Sequence, residues 1–209
     1  MKRVLFATTA VAAVAVAGLL PAMAVPTVLG SLYEVSSAIA NSATPANVPA
    51  GPADVTFTAP SNPLSFNPTD SGSIYLIGSW LATGGATILT GSGHLGDSMD
   101  NTLINFTGTV SVTNGQKFAA GHDDGVTLVI GGTTVINAPA GTSYVVTSST
   151  YTGPSGNQPF QLVYGECCGP PGALLVDLPF VSPVPEPASL AVFGAGLLGL
   201  GFLRRRKPG

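Results

Sequence analysis

Short stretches of alternating apolar and polar residues run through the chain from Asp54 to Phe180, separated by segments rich in Gly, Pro, Asn and Ser. In the first stretch Val55, Phe57 and Ala59 occupy every second position, so their side chains would share one face of a β-strand. The same kind of pattern predicts further strands within residues 73–80, 86–93, 101–113, 115–121, 125–132, 133–137, 143–150, 159–166 and 172–180. Short strands with turn signals about every ten residues are typical of β-sandwiches and β-barrels.

The hairpin predicted around Gly131-Gly132 has the clearest pattern. Before it, Val126, Leu128 and Ile130 alternate with residues that would point to the opposite face. The glycine pair suits a two-residue turn, after which residues 133–137 form the returning strand.

Residues 101–113 alternate less regularly. Leu103 is out of step with Phe106, Val110 and Val112, and a slip of one residue between Leu103 and Phe106 would bring all four to one face. No stretch of the central region predicts a helix long enough for a βαβ crossover, which argues against a parallel α/β sheet.

The expected organisation is therefore an all-β domain, an antiparallel β-sandwich or barrel, over residues 54–183. Residues 25–53 are rich in Ala, Ser, Pro and Val and give few cues, so we expect little regular structure there beyond a short helix within residues 31–40.

The charge of the central region is strongly asymmetric. Between residues 25 and 183 Lys117 is the single cation against nine acids, a formal net charge of −8. Such a region repels nucleic acid and anionic lipid, which leaves divalent cations and neutral glycans as the more plausible partners.

The N-terminus has the three parts of a secretory signal peptide. Lys2 and Arg3 precede an apolar run, Val4–Leu20, and Ala22-Met23-Ala24 is a small-x-small cleavage site. We expect a signal helix at 1–24, cleaved by signal peptidase after Ala24; an uncleaved membrane anchor is the alternative.

The C-terminus carries a second short apolar run. Residues 188–203 contain no charge and would form a helix about 24 Å long, which barely spans a bilayer core of about 30 Å. We expect a single transmembrane helix here that crosses the inner membrane transiently. The cations that would stay in the cytoplasm are Arg204, Arg205, Arg206 and Lys207.

Three residues precede this helix on its outer side: Pro185, Glu186 and Pro187. The prolines favour an extended, accessible strip that a membrane protease can grip. The order Pro-Glu-Pro, short apolar helix and basic tail over 184–209 resembles the PEP-CTERM sorting signal of Gram-negative bacteria. The resemblance implies processing by an exosortase and localisation in the cell envelope, at the outer surface or in the extracellular matrix, in bacteria that make exopolysaccharide or biofilm. An ordinary tail anchor is the alternative.

Asp123 and Asp124 lie side by side between a strand and a hairpin, followed by Gly125. Adjacent carboxylates repel each other unless a cation or amide donors lie between them, and calcium tolerates the irregular oxygen geometry of such a loop. The alternative is an Asp-Gly turn in which Asp124 caps its own backbone and Asp123 is solvated.

The stretch from Phe118 through Asp123-Asp124-Gly125 to Ile136 resembles the PA14 superfamily, and residues 159–178 resemble its late strands. The resemblance implies a PA14-like β-sandwich or barrel. In the yeast adhesin branch an Asp pair joined by a cis peptide holds calcium, which binds sugar hydroxyls. That branch takes a further ligand from an Asn, where this chain has Glu166, so Asp123, Asp124 and Glu166 are the candidate calcium ligands.

Cys167 and Cys168 are the two cysteines of the chain and are adjacent. In an oxidising compartment they can form a vicinal disulfide that stiffens one loop. Pairing between chains, or soft-metal binding with Glu166 or His122, are the alternatives.

The expected function is that of an exported, exosortase-sorted, non-enzymatic envelope or matrix protein that binds exopolysaccharide or another glycan through calcium. Catalytic motifs give little support to an enzyme, since no serine lies in a Gly-x-Ser-x-Gly elbow. Two alternatives remain open: a glycan-processing hydrolase that uses Asp97, Asp100 or Asp123 as acid and base, and a structural envelope protein without a ligand.

Overall fold

Antiparallel β-strands account for most of the regular structure in the computed structural model, which describes residues 26–72, 74–169 and 171–180. The strands of these ranges are β1 Thr27–Glu34, β2 Val55–Pro60, β3 Leu64–Phe66, β4 Thr87–Thr90, β5 Thr102–Val112, β6 Lys117–Asp123, β7 Gly125–Ile130, β8 Thr133–Ala138, β9 Val145–Thr150, β10 Gly156–Glu166 and β11 Ala173–Val176. Two short α-helices, α1 Ser37–Ala40 and α2 Ile77–Thr83, and two 3₁₀ turns, Pro45–Asn47 and Ser92–Gly96, complete the set.

The strands form two sheets around one apolar core. The larger sheet has the order β4-β2-β1-β5-β10-β7-β8 and the smaller has the order β3-β11-β6-β9. Every strand pairing among the described residues is antiparallel. Phe106 of the larger sheet and Phe66 of the smaller lie in the same buried cluster, with ring centroids 5.7 Å apart. The prediction of a mostly β, antiparallel fold is confirmed.

The hairpin between β7 and β8 follows its prediction. Val126, Leu128 and Ile130 are fully buried in the core. Gly131 and Gly132 have φ values of 55° and 79°, the left-handed conformation that a two-residue hairpin turn requires and that glycine adopts without strain.

In β5 the predicted slip does not occur. Phe106, Val110 and Val112 face the core together with Ile104, whereas Leu103 lies on the opposite face against Ala43 and Val163. The strand is apolar on both faces at this end because the chain that follows β1 covers the outside of the sheet there.

The expectation of little structure over residues 25–53 is wrong for β1, which lies between β2 and β5 in the larger sheet. Val28 and Leu32 face the core, but Gly30 interrupts the apolar alternation that would have marked the strand. Glycine is needed at that point because a Cβ there would lie 2.3 Å from the ring of Phe57.

Residues 73–80 were predicted to be a strand, and this prediction is wrong: the segment enters α2. Ile77, Trp80 and Leu81 are buried, and their spacing of three and four residues is that of one helix face. The β-rich composition of the segment obscured this spacing. Tyr75 is 55% exposed and lies outside the core.

The predicted signal helix at 1–24 and the predicted transmembrane helix at 188–203 lie outside the described residues. In the part of the chain that the structure describes, no helix has the length and apolar character needed to cross a membrane.

Candidate metal centre

Three buried carboxylates converge where β6, β7 and β10 meet. Asp123 ends β6, Asp124 links β6 to β7, and Glu166 ends β10. Gly165 pairs with Gly125 in the register of β10 and β7, which brings Glu166 beside the loop. One oxygen of each carboxylate lies within 4.8 Å of the others, and the residues are only 8%, 4% and 0% exposed in chain order. Like charges this close are unfavourable unless a cation or a proton lies between them.

The backbone of the loop has the form that the resemblance implied, since the peptide bond between Asp123 and Asp124 is cis. A separate steric constraint requires glycine at the next position. A Cβ on Gly125 would lie 2.1 Å from the carbonyl oxygen of Pro139, which accepts a hydrogen bond from the N–H of Ala43 at 2.9 Å. The Asp-Asp-Gly sequence therefore combines an acidic pair with close packing of two backbone segments.

Backbone amides hold the carboxylate of Asp124 on both sides. The N–H of Thr142 donates to Oδ1 at 2.9 Å, and the N–H groups of Cys167 and Cys168 donate to Oδ2 at 2.9 and 3.2 Å. Hydrogen bonds from three amides fix the orientation of a carboxylate. The carboxylate of Asp124 is thus held in one orientation at the centre of the cluster.

Glu166 is in the opposite situation. Its Oε2 accepts a hydrogen bond from the hydroxyl of Tyr164 at 3.0 Å, but its Oε1 is buried and has no hydrogen-bond partner among the described residues. Leaving a buried carboxylate oxygen unpaired is costly. A ligand that contacts Oε1 would remove this cost.

Burial disfavours the charged forms of Glu166 and Asp123. It raises the pKa of Glu166 to about 9, with the charge of Asp124 as the next cause. It also raises the pKa of Asp123 to about 6, again reinforced by Asp124. Among residues 26–180 Lys117 is the only Lys or Arg, and neither of the ion pairs in the described structure involves these three acids. In the absence of a cation, protons relieve the repulsion.

An aromatic stack supports the buried side of the centre. The rings of Trp80 and Tyr164 are stacked with centroids 5.5 Å apart, and Phe66 stacks on the other side of Trp80 at 4.2 Å. The indole N–H of Trp80 donates to the carbonyl oxygen of Gly172 at 3.0 Å, and a Cβ on Gly172 would lie 2.5 Å from Oε2 of Glu166. This packing leaves Glu166 little room to turn away.

His122 has a structural role. Its Nδ1 contacts the carbonyl oxygen of Asp124 and must donate to it, so Nε2 accepts from the hydroxyl of Thr147 at 2.8 Å. Burial lowers the pKa of His122 and keeps the ring neutral. Since both ring nitrogens are engaged, the alternative of a soft-metal ligand at His122 receives no support.

Cys167 and Cys168 form a vicinal disulfide. Cys167 is buried and Cys168 is exposed. A cavity of about 380 Å³ opens beside them, lined by Asp123 and Asp124 together with Thr142, Ser143, Cys168 and Gly169. The carboxylate cluster thus has a closed side at Glu166 and an open side at the cavity, where Asp123 and Asp124 lie beside uncharged polar residues.

The acids of the hydrolase alternative lie in different surroundings. Asp97 contacts His94 at 3.1 Å, and Glu34 contacts the same ring nitrogen at 2.8 Å. Asp100 accepts a hydrogen bond from the N–H of Gly169 at 3.3 Å. Asp97 therefore belongs to an exposed ion-pair cluster, whereas the charge of Asp100 acts on Glu166.

Sequence reasoning missed Asp70 and considered Asp100 only as a hydrolase acid. The charge of Asp70 contributes to the raised pKa of Asp123, and that of Asp100 contributes to the raised pKa of Glu166. It also missed Asn67, whose side-chain amide donates to the carbonyl oxygens of Pro171 and Gly172. No spacing in the sequence links these residues, because the fold alone brings them together.

The sorting residues predicted at 185–187 and 204–207 lie outside the described residues, but their sequence can be compared with known proteins. Residues 183–207 match the PEP-CTERM protein-sorting motif. No curated protein matches the chain.

Several solved structures are similar to this chain. The PA14 sugar-binding domain from an RTX adhesin has 18% identity over 73% of this chain and 88% of that chain, with a TM-score of 0.49. The PA14 domain of the antifreeze protein MpAFP has 22% identity over 77% of this chain and 86% of that chain, also with a TM-score of 0.49. An anti-sigma factor domain-containing protein has 18% identity over 72% of this chain and 40% of that chain, with a TM-score of 0.42. The chain thus carries a PEP-CTERM protein-sorting motif, which implies export and sorting, and its structural neighbours include PA14 domains.

Proposed function

We propose that this exported protein binds calcium at Asp123, Asp124 and Glu166, and that the bound ion recognises hydroxyl groups of a neutral glycan, such as exopolysaccharide, in the envelope or extracellular matrix. In this proposal the protein is a binding and organising component and not an enzyme. An exosortase and signal peptidase act on it during export, and it crosses the inner membrane transiently.

The observation that carries the proposal is the unpartnered Oε1 of Glu166, which is fully buried beside two further carboxylates. A cation that contacts all three groups would satisfy this oxygen and remove their repulsion together. The alternative of a simple Asp-Gly turn had Asp124 capping its own backbone. Its carboxylate instead accepts hydrogen bonds from the N–H groups of Thr142, Cys167 and Cys168.

The donor set favours calcium over other cations. All three side chains offer carboxylate oxygens, and His122 has no free ring nitrogen. Hard oxygen ligands in an irregular loop suit calcium, whereas zinc and copper prefer nitrogen or sulfur. Calcium takes six to eight ligands, so three carboxylates leave positions for water or for a ligand on the open side.

The lining of the cavity supports a neutral, hydroxyl-bearing ligand. Thr142 and Ser143 offer polar groups, and the lining contains no Lys or Arg that would pair with an anionic sugar. Two adjacent hydroxyls of a sugar can replace water at calcium, because both ligands are neutral oxygens.

Burial of Glu166 prevents it from serving as a second acid beside Asp123 in the hydrolase alternative. A general acid must come within hydrogen-bond reach of the leaving oxygen, and Glu166, the acid with the higher pKa, is 0% exposed. A cation inside the cluster needs no such access.

Calorimetric titration of the purified full-length chain with Ca²⁺ tests the metal site. We expect heat of binding and a rise in the unfolding temperature of wild type, and loss of both in Glu166→Gln. Asp177→Asn is the matched control, since Asp177 is exposed and lines a different cavity. Wild type without heat or stabilisation would leave the ligand-free structural role.

The glycan step needs its own measurement. We expect the chain to bind at least one of a galactan, a mannan and a dextran in Ca²⁺ and to release it in EGTA. Release of reducing sugar that is lost in Asp123→Asn would support the hydrolase instead.

A further inference from the structure

The disulfide between Cys167 and Cys168 lies directly against the candidate metal centre. The N–H groups of both cysteines donate to Oδ2 of Asp124, at 2.9 and 3.2 Å. The Sγ atom of Cys167 is 3.3 Å from the same oxygen. Because this sulfur is part of a disulfide it carries no proton, so the S···O approach is a contact and not a hydrogen bond.

The two N–H groups have an arrangement that an extended chain does not provide. In a strand, successive N–H groups point in opposite directions, so one oxygen does not accept from both. Successive N–H groups that converge form a concave backbone site for an anion. Here the anion is the side chain of Asp124.

The disulfide closes a ring through the same two residues. It joins the side chains of Cys167 and Cys168, while the peptide bond between them closes the other half of the ring. The ring restricts backbone rotation at both residues and thereby fixes the directions of the two N–H groups. Thr142 holds only the other oxygen of Asp124, at 2.9 Å.

We propose that Cys167 and Cys168 are positioning residues of the metal centre: their disulfide fixes the two N–H donors that orient the carboxylate of Asp124 toward the cation. This inference rests on the proposed calcium site. It assigns the disulfide an effect on cation affinity, which differs from merely stiffening a loop. Loss of such outer contacts weakens metal affinity by about 10- to 100-fold.

A dithiol such as dithiothreitol can open the ring from the exposed side. Its thiolate attacks Sγ of Cys168 and forms a mixed disulfide, and Cys167 leaves as a thiolate that takes up a proton. The second thiol of the reagent then displaces Cys168, which is also protonated. The reagent ends as a cyclic disulfide, and the protein gains two electrons and two protons.

The test compares Ca²⁺ affinity in the full-length chain by calorimetry in three states: oxidised, reduced, and the double variant Cys167→Ala/Cys168→Ala. We expect the dissociation constant to rise about 10- to 100-fold in the reduced and double-variant states. The reduced Cys167 thiol is a weak donor to Asp124, so the double variant is expected to lose at least as much. Dithiothreitol added to the double variant is the control and should leave its affinity unchanged.

A second measurement separates positioning from a structural role. Affinity coupling is reciprocal, so Ca²⁺ must make the disulfide harder to reduce by the same factor by which the disulfide tightens Ca²⁺ binding. A tenfold coupling lowers the reduction potential by about 30 mV, which equilibration with a reference dithiol can measure in wild type. A purely structural disulfide changes the unfolding temperature in EGTA but gives no such shift.

The outcomes are distinguishable. If oxidised wild type does not bind Ca²⁺, the proposed function fails and this inference fails with it. If wild type binds and neither reduction nor the double variant changes the affinity, only the positioning role is overturned. If the double variant does not fold, reduced wild type and the effect of Ca²⁺ on the potential decide the question.

Discussion

The hydroxyl of Tyr164 donates to Oε2 of Glu166 at 3.0 Å, two positions further along β10. Residues two apart in a strand share a face, so the contact follows from strand geometry. The same hydroxyl also contacts the backbone carbonyl of Asp123. Tyr164 therefore links the buried carboxylate to the acidic loop and, through its ring, to Trp80.

Tyr164→Phe should destabilise the metal-free protein. The change removes the hydroxyl and leaves both oxygens of Glu166 without a partner, which costs about 1–3 kcal/mol, while the ring stack on Trp80 is preserved. Chemical denaturation in EGTA measures the free energy of unfolding. The control is Tyr75→Phe, because Tyr75 is 55% exposed and has no hydroxyl partner among the described residues. Equal stability of the two variants would contradict the role assigned to Tyr164.

The strand content of the fold was predictable because most strands bury one face and so alternate visibly. The failures have local causes. Gly30 breaks the alternation of β1 because the ring of Phe57 fills its place. Leu103 disturbs that of β5 because Ala43 covers the outer face. Both result from contacts between segments far apart in sequence, which no local pattern encodes.

The candidate site was partly predictable for a similar reason. Asp123 and Asp124 are adjacent, and Glu166 follows from a family resemblance, but the three amides on Asp124 come from two distant loops. The unpartnered oxygen of Glu166 and the outer charges of Asp70 and Asp100 are properties of the folded chain alone.

Gly165→Ala should destabilise the fold and weaken cation binding. A Cβ at this position would lie 2.1 Å from the carbonyl oxygen of Ala40, so the chain that covers the sheet must move. Overpacking of this kind costs about 1–3 kcal/mol. The displaced segment includes Asn41, whose side chain accepts a hydrogen bond from the N–H of Gly141 in the loop beside the candidate metal centre.

Gly51→Ala is the matched control for this change, since a Cβ there would have no atom within 4 Å. Thermal unfolding in EGTA and Ca²⁺ calorimetry measure the two effects. If Gly165→Ala is as stable as Gly51→Ala, the predicted clash is wrong.

The metal-free protein should lose stability as pH rises. Burial raises the pKa of Asp123 to about 6 and that of Glu166 to about 9 in the folded state. The unfolded chain releases these protons near its ordinary values of 3.8 and 4.5. Between about pH 4 and pH 9 the folded state thus binds more protons, and its stability falls by up to about 1.4 kcal/mol per pH unit for each such proton.

Denaturation in EGTA at pH 5 and pH 8 checks this sign. We expect wild type to be more stable at pH 5, and Glu166→Gln, which cannot ionise at this position, to show a smaller difference. Greater stability of wild type at pH 8 in EGTA would contradict the raised pKa values.

Terbium bound at the centre should emit when Trp80 is excited. Tb³⁺ is a hard cation that occupies calcium sites, and its emission is sensitised by a nearby indole. Trp80 is the only tryptophan of the chain and stacks on Tyr164, which donates to Glu166.

We expect saturable Tb³⁺ emission that excess Ca²⁺ abolishes by displacing the bound Tb³⁺. Trp80→Phe should remove the indole-sensitised emission, whereas Glu166→Gln should weaken Tb³⁺ binding itself. Emission that persists in Glu166→Gln with unchanged Tb³⁺ affinity would place the cation elsewhere, since a ligand of the centre cannot lose its charge without weakening its hold on a trivalent ion.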